Sequence, residues 1–383
     1  MEALILGWYI LVETGSVVLL TVLWALMLVG VLAAPMFGVI GDRIGHRNLL
    51  AGMRAFYMVL AMTMATLAFS GALRPLYVFI IAALMGLVRT SDLGVRGALV
   101  GTSVPHERLV GALSISRTTT DSARMAGALA GAGLASLFGI GPAYVVAAGF
   151  YAVSALLTLR VAAEAKPPET GAVAYVSPWR DLKEGIAYVW ASPKLLAAMW
   201  LASLINLTGF PLLNGLLPYV AKDVYHVDQA GLGYLIASFA FGALVGSLAL
   251  TIVGRRFHLE RVMIVSTAIW HALLLFFAQT TTLMSGMAWL WIIGFVQSLS
   301  VVSIGIILLQ HATIRFRGRV MGVRMLAIYT LPVGLLIAGP LIGQVGFHTT
   351  ATIYACVGLL LTLVIAMRWR ADVWTAPDLT SIR

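Results

Sequence analysis

GMAWLWIIGFVQSLSVVSIGIILLQ, Gly286 to Gln310, runs without a charged residue. A helix crossing a bilayer core about 30 Å thick needs about 20 apolar residues, and this stretch supplies them. Outward from it, runs of similar length recur near 17–40, 49–70, 76–103, 108–138, 142–163, 195–221, 230–253, 261–280, 320–345 and 348–369, divided by short polar breaks. Of the 383 residues, 61% are hydrophobic and 10% charged, with a mean hydropathy of +0.97. A soluble domain has about 45–50% apolar and about 25% charged residues, so no water-soluble fold hides this much apolar surface. A membrane barrel is excluded too: its alternating segments of about ten residues are absent, and the runs are rich in Leu, Ala and Met. The expected fold class is an all-α integral membrane protein.

Ahead of the first run lies an apolar stub, Leu4 to Val12, too short to span. It is read as what is left of helix 1, through either a mis-chosen start codon or a real truncation. With the stub counted, alternate loops face opposite sides. Of the 25 Lys and Arg, only Arg74 and Lys222 fall on one side; Arg89, Arg96, Arg117 and Arg124 fall within spans, and the rest lie on the other side. Cytoplasmic loops are enriched in Lys and Arg, which puts the basic side and the C-terminus in the cytoplasm of a multi-pass protein of the cell inner (plasma) membrane. That bias accounts for the net charge of +10 without nucleic acid.

The longest polar break divides the chain into an N-terminal helical bundle, 1–163, a cytoplasmic linker, 164–194, and a C-terminal bundle with a short cytoplasmic tail, 195–383. In the linker, Trp179, Leu182, Ile186, Val189 and Trp190 recur at helical spacing opposite Arg180, Asp181, Lys183 and Glu184. The pattern suits an amphipathic helix lying in the membrane interface or a solvated linker helix. Cys356 is the one cysteine, so no intrachain disulfide forms, and no Cys/His spacing suits a metal; no metal or other cofactor is expected. The patterns G-x-x-x-x-G-K-[ST], HExxH and GxSxG do not occur, which argues against ATP hydrolysis and against an enzyme.

The most specific motif is GVIGDRIGHRNLL, Gly38 to Leu50, in the loop after the second helix. Gly38 permits close helix packing, Gly45 a tight turn, and Asp42 can take basic partners or helix-end N–H groups. The stretch resembles the G-x-x-x-D-R-x-G-R-[RK] signature of the major facilitator superfamily, with Gly38, Asp42, Arg43, Gly45 and Arg47 in register and His46 where a basic residue is usual. RFRGRVMGVRML, Arg315 to Leu326, resembles a segment of facilitator exporters of the enterobactin and macrolide efflux type. DSARMAGALAGAG, Asp121 to Gly133, is similar to their Ala-Arg-x-x-Gly-Pro-x-x-x-Gly segment, with Ala128 in place of the proline. The resemblance implies two pseudo-symmetric six-helix bundles, here about eleven full spans plus the stub. It also implies a gating latch at the motif that stabilises the outward-facing state.

Six ionisable residues inside spans are the sharpest functional clue, because each costs at least about 2.5–3.5 kcal/mol to insert and usually faces a cavity or a partner. Arg89, Asp92 and Arg96 share one helix face, and Arg117, Asp121 and Arg124 share another. If the hairpin turns near Pro105, Arg89 meets Asp121 and Asp92 meets Arg117. Such pairs are structural, or else one carboxylate trades its arginine for a proton or touches substrate. The excess of arginine favours an anionic substrate or lipid headgroup. Asn206 and Gln297 are candidate neutral contacts near mid-depth. Asn214, Gln310, His271 and Tyr329 are expected to bond between helices. Glu13 is an exposed loop acid or a second proton candidate. The pair Gly242 and Gly246, and the set Gly127, Gly131 and Gly133, suit close helix crossings.

The expected activity is secondary transport by a monomer in the lipid bilayer: proton-coupled export of a small amphipathic compound such as a drug, macrolide or siderophore, by alternating access. An importer of the same fold and a non-transporting membrane sensor or scaffold derived from a truncated transporter stand as alternatives.

Overall fold

The computed structural model describes residues 1–30, 37, 40–41, 44–103, 109–161, 178–253, 258–313 and 316–371. Among the described residues the regular elements are helical. They are α1 (Glu2–Thr14), α2 (Val17–Leu26), α3 (His46–Phe69), α4 (Pro75–Ser103), α5 (Leu109–Phe138), α6 (Ile140–Leu159), α7 (Pro178–Ala191), α8 (Pro193–Leu204), α9 (Gln229–Val253), α10 (Leu259–Phe277), α11 (Leu283–Gln310), α12 (Arg317–Ile328) and α13 (Thr330–Arg368).

Local chemistry sets the ends. Gly15, at φ 61, closes α1 with its N–H on the Leu11 carbonyl, and Ser16 opens α2 by accepting the Leu19 N–H at 3.3 Å. A left-handed glycine followed directly by a serine cap makes a tight helical hairpin. Thr282 caps α11 in the same way, through the Ser285 N–H. Gly346, at φ 80, breaks α13 into two arms, 330–345 and 347–368. After α8 the helix widens into π turns at Ile205–Gly209 and Pro211–Gly215.

Seven helical stretches among the described residues are long and apolar enough to cross a membrane: His46–Phe69, Ile140–Leu159, Pro193–Gly215, Gln229–Leu250, Leu259–Phe277, Leu283–Gln310 and Arg317–Arg368. Shorter apolar lengths are Val17–Leu26, Pro75–Arg89 and Met125–Phe138. The last two are the continuously described parts of α4 and α5, helices of 29 and 30 residues. Leu137, Phe150 and Leu156, and likewise Ile252, Phe276 and Leu360, stand largely exposed. Such side chains cost nothing when they face hydrocarbon.

The helices gather into two compact units, one of Met1–Tyr175 with Gly215–Ala237, the other of Val176–Asn214 with Ser238–Arg383. In the first unit α3 packs along α6 and α4, and α1 touches α2, α4, α5 and α6. In the second, α10 packs on α11 and α13, while α7 lies on α12. The Tyr188 ring stacks on Phe316 at 4.3 Å, and Arg319 meets Glu184 at 2.9 Å. Val189 is buried there whereas Trp190 is 65% exposed, so α7 is docked on its own unit along one side only.

The α9–α11 crossing relies on missing side chains. A methyl group at Gly242 would run into the Trp291 carbonyl, and one at Gly246 into the Phe295 carbonyl. Gly343 on α13 has open space at the same position. We expect Gly242→Ala to lower stability by about 1–3 kcal/mol, as overpacking does, and Gly343→Ala to leave it level or slightly raised. Thermal unfolding in detergent checks this pair.

Candidate substrate and proton site

Helix ends on one side of the first unit give a ruler. The α1–α2, α3–α4 and α5–α6 connections lie on that side, and Tyr9 of α1 donates to the Leu73 carbonyl in the second of them. At about 1.5 Å rise per residue, Glu2 sits about 18 Å from the end of α1 and Tyr57 about 18 Å from the end of α3. Arg89 lies about 21 Å and Asp92 about 26 Å into α4, and Tyr151 about 17 Å into α6. Polar side chains from four helices thus share one layer near the middle of the bundle.

Asp92 is held from α3. Arg54 Nη2 lies 2.9 Å from Oδ1 and donates to Oδ2 at 3.1 Å, with both side chains largely withdrawn from solvent. Arg89 and Arg96, one turn to either side on α4, lie within electrostatic range of the same carboxylate. The observed partner is therefore a residue that the loop analysis had assigned to the basic side. Arg54 and Tyr57 are three residues apart and face α4 and α6 together, a spacing that would have flagged them.

A second carboxylate lies nearby. The Tyr151 hydroxyl donates to Glu2 Oε2 at 2.5 Å, and its ring leans on that of Tyr57 at 5.2 Å. Arg89 is within electrostatic range of Glu2, Tyr57 and Tyr151. Arg89 is itself exposed. A guanidinium at mid-depth facing hydrocarbon is costly.

The other expected residues fall out as follows. Arg117, Asp121 and Arg124 belong to α5, but their side chains lie outside the described residues, and the pairings expected for Arg117 and Asp121 lie outside with them. Gly38, Asp42 and Arg43 of the loop motif are also outside the described residues. Gly45, at φ 85, starts α3 in a conformation that suits glycine, and Arg47 Nη1 donates to the Val161 carbonyl at 3.2 Å, tying the motif to the end of α6. Glu13 is exposed at the end of α1.

In the second unit Asn206 and Gln297 are both buried. Asn206 sits in the first π turn and spends its amide on the Ala202 carbonyl at 2.8 Å. Beside it runs a buried chain that ties α8, α10 and α11: Thr208 to His271 Nε2 at 2.9 Å, His271 Nδ1 to the Thr267 carbonyl at 2.9 Å, and Thr267 to Ser300 at 2.6 Å. Nδ1 faces a carbonyl and so carries a proton.

Residues 12–383 match the family described as transmembrane secretion effector, within the major facilitator group. The chain is similar to the multidrug efflux pump Tap of Mycolicibacterium fortuitum, 26% identical over 235 residues, covering 60% of this chain and 56% of that protein. It is similar also to Tap of Mycobacterium tuberculosis, 26% identical over 256 residues, 63% of this chain and 58% of that one. The chain thus spans less than two thirds of the length of these curated relatives. Among solved structures, a substituted form of the nucleoside transporter NupG superposes with a TM-score of 0.73 at 14% identity, over 96% of this chain and 94% of the other. That likeness shows the major facilitator fold.

Breaking a charge pair withdrawn from water strands the survivor. Arg54→Ala and Asp92→Asn should each cost about 3 kcal/mol, and Arg54→Met with Asp92→Leu together should cost well under their sum. A double-mutant cycle by thermal unfolding in detergent measures the coupling.

Proposed function

The chain belongs to the transmembrane secretion effector family of major facilitator transporters, and on that premise we propose that it exports small amphipathic compounds in exchange for protons by alternating access. The observation that carries this reading is the mid-depth layer of opposing charges in the first unit. Arg89, Asp92 and Arg96 are assigned to its wall, together with Arg117, Asp121 and Arg124 of α5. Asn206 and Gln297 are assigned as neutral substrate contacts. Relatives named as multidrug efflux pumps support the outward direction. The basic loops support a cytoplasmic C-terminus in the plasma membrane. Charges inside a span are kept for a reason, and a carboxylate that alternates between an arginine and a proton couples two movements without ATP.

Membrane vesicles of both orientations test direction and energy source together. Inverted vesicles energised by respiration should accumulate ethidium or erythromycin, and an uncoupler should release it. Inward movement in right-side-out vesicles would make the protein an importer. No uncoupler-sensitive movement in either orientation would remove transport of these compounds.

A further inference from the structure

Of the two described carboxylates in the mid-depth layer, Asp92 is ion-paired with Arg54, although its Oδ1 is buried without a hydrogen bond, and Glu2 has no ion pair among the described residues. Both oxygens of Asp92 lie within reach of a single Arg54 nitrogen. Glu2 engages only Oε2, in a short bond from the Tyr151 hydroxyl, while Oε1 is buried with no hydrogen-bond partner among the described residues. The hydroxyls of Tyr57 and Tyr144 are likewise buried without one, and both lie within electrostatic range of the same carboxyl. An ionised oxygen shut away from water with nothing to bond is costly, and a proton on it removes the cost.

The geometry points to Glu2 as the proton-carrying carboxylate of the exchange, with Tyr151 positioning it and Arg89 as the cation that stabilises its ionised form. This rests on the export reading above. The proton adds to the open oxygen, Oε1, from the outer aqueous side, which leaves Arg89 free to move from Glu2. It departs to the inner side when Arg89 returns. Tyr151 of α6 bonds the carboxyl, and Arg89 of α4, Tyr57 of α3 and Tyr144 of α6 lie within its electrostatic range. The charged side chains that α5 contributes, Arg117, Asp121 and Arg124, lie outside the described residues. Tyr151 keeps its ring against Tyr57 if only its hydroxyl is removed, so Tyr151→Phe probes the bond with the ring packing retained.

Two measurements on the full chain in proteoliposomes decide it. In infrared difference spectra between acid and alkaline pH, the wild type should show a protonated-carboxyl band that Glu2→Gln abolishes and Tyr151→Phe shifts. Accumulation of ethidium driven by a pH gradient should fall about tenfold in Glu2→Gln and be partly restored in Glu2→Asp. The same band in Glu2→Gln as in wild type, or wild-type accumulation in that variant, overturns the assignment. Failure of export as such shows separately, as absence of accumulation in the wild type, and the infrared band does not depend on it.

Discussion

An ionised side chain part-way through an apolar bundle must find an opposite charge, a hydrogen-bonding shell or water, and the first unit is arranged around that requirement. Arg54 reaches across from α3 to Asp92 on α4. With this pair in place, the two helices are fixed in rotation about their axes. Arg89, Asp92 and Arg96 recur every three or four residues, so the fixed rotation also fixes where the two further arginines point. Glu2, Tyr57 and Tyr151 then complete a layer at one depth from three other helices. The cost of each charge is offset by its neighbours, which makes the layer sensitive to any proton that enters it.

The second unit solves a different problem. Buried neutral groups join its helices: the Thr208, His271, Thr267 and Ser300 chain runs from the π turn after α8 to α10 and α11. The π turns after α8 carry Asn206 and Thr208 into that core, at the kind of local widening that often marks functional positions. Glycines let α9 and α11 approach to backbone contact.

Much of the fold was legible because length and hydropathy are read residue by residue. The run ending at Gln310 is a helix from Leu283, and the run expected over 76–103 is α4, Pro75–Ser103. The break in α13 falls at Gly346, between the runs expected to end at 345 and begin at 348. Partners across helices were not legible. Equal distance from Pro105 relates only sequential neighbours along one hairpin, and the Arg117 side chain expected to meet Asp92 lies outside the described residues. The observed ion pair joins α3 to α4 through a different hairpin, where Arg54 had been counted with the loops. Glu2 escaped notice because it precedes the apolar stub, and its partner Tyr151 lies far along the chain.

If the charged layer of the first unit borders water, Arg89 is reachable from the aqueous phase. A chain carrying Arg89→Cys with the exposed Cys356 replaced by serine can be reacted with a membrane-impermeant cationic thiol reagent, with and without ethidium. Reaction from the aqueous phase, slowed by ethidium, is the expected result. Labelling only by a lipid-soluble reagent, with no effect of ethidium, would place Arg89 against hydrocarbon and contradict it.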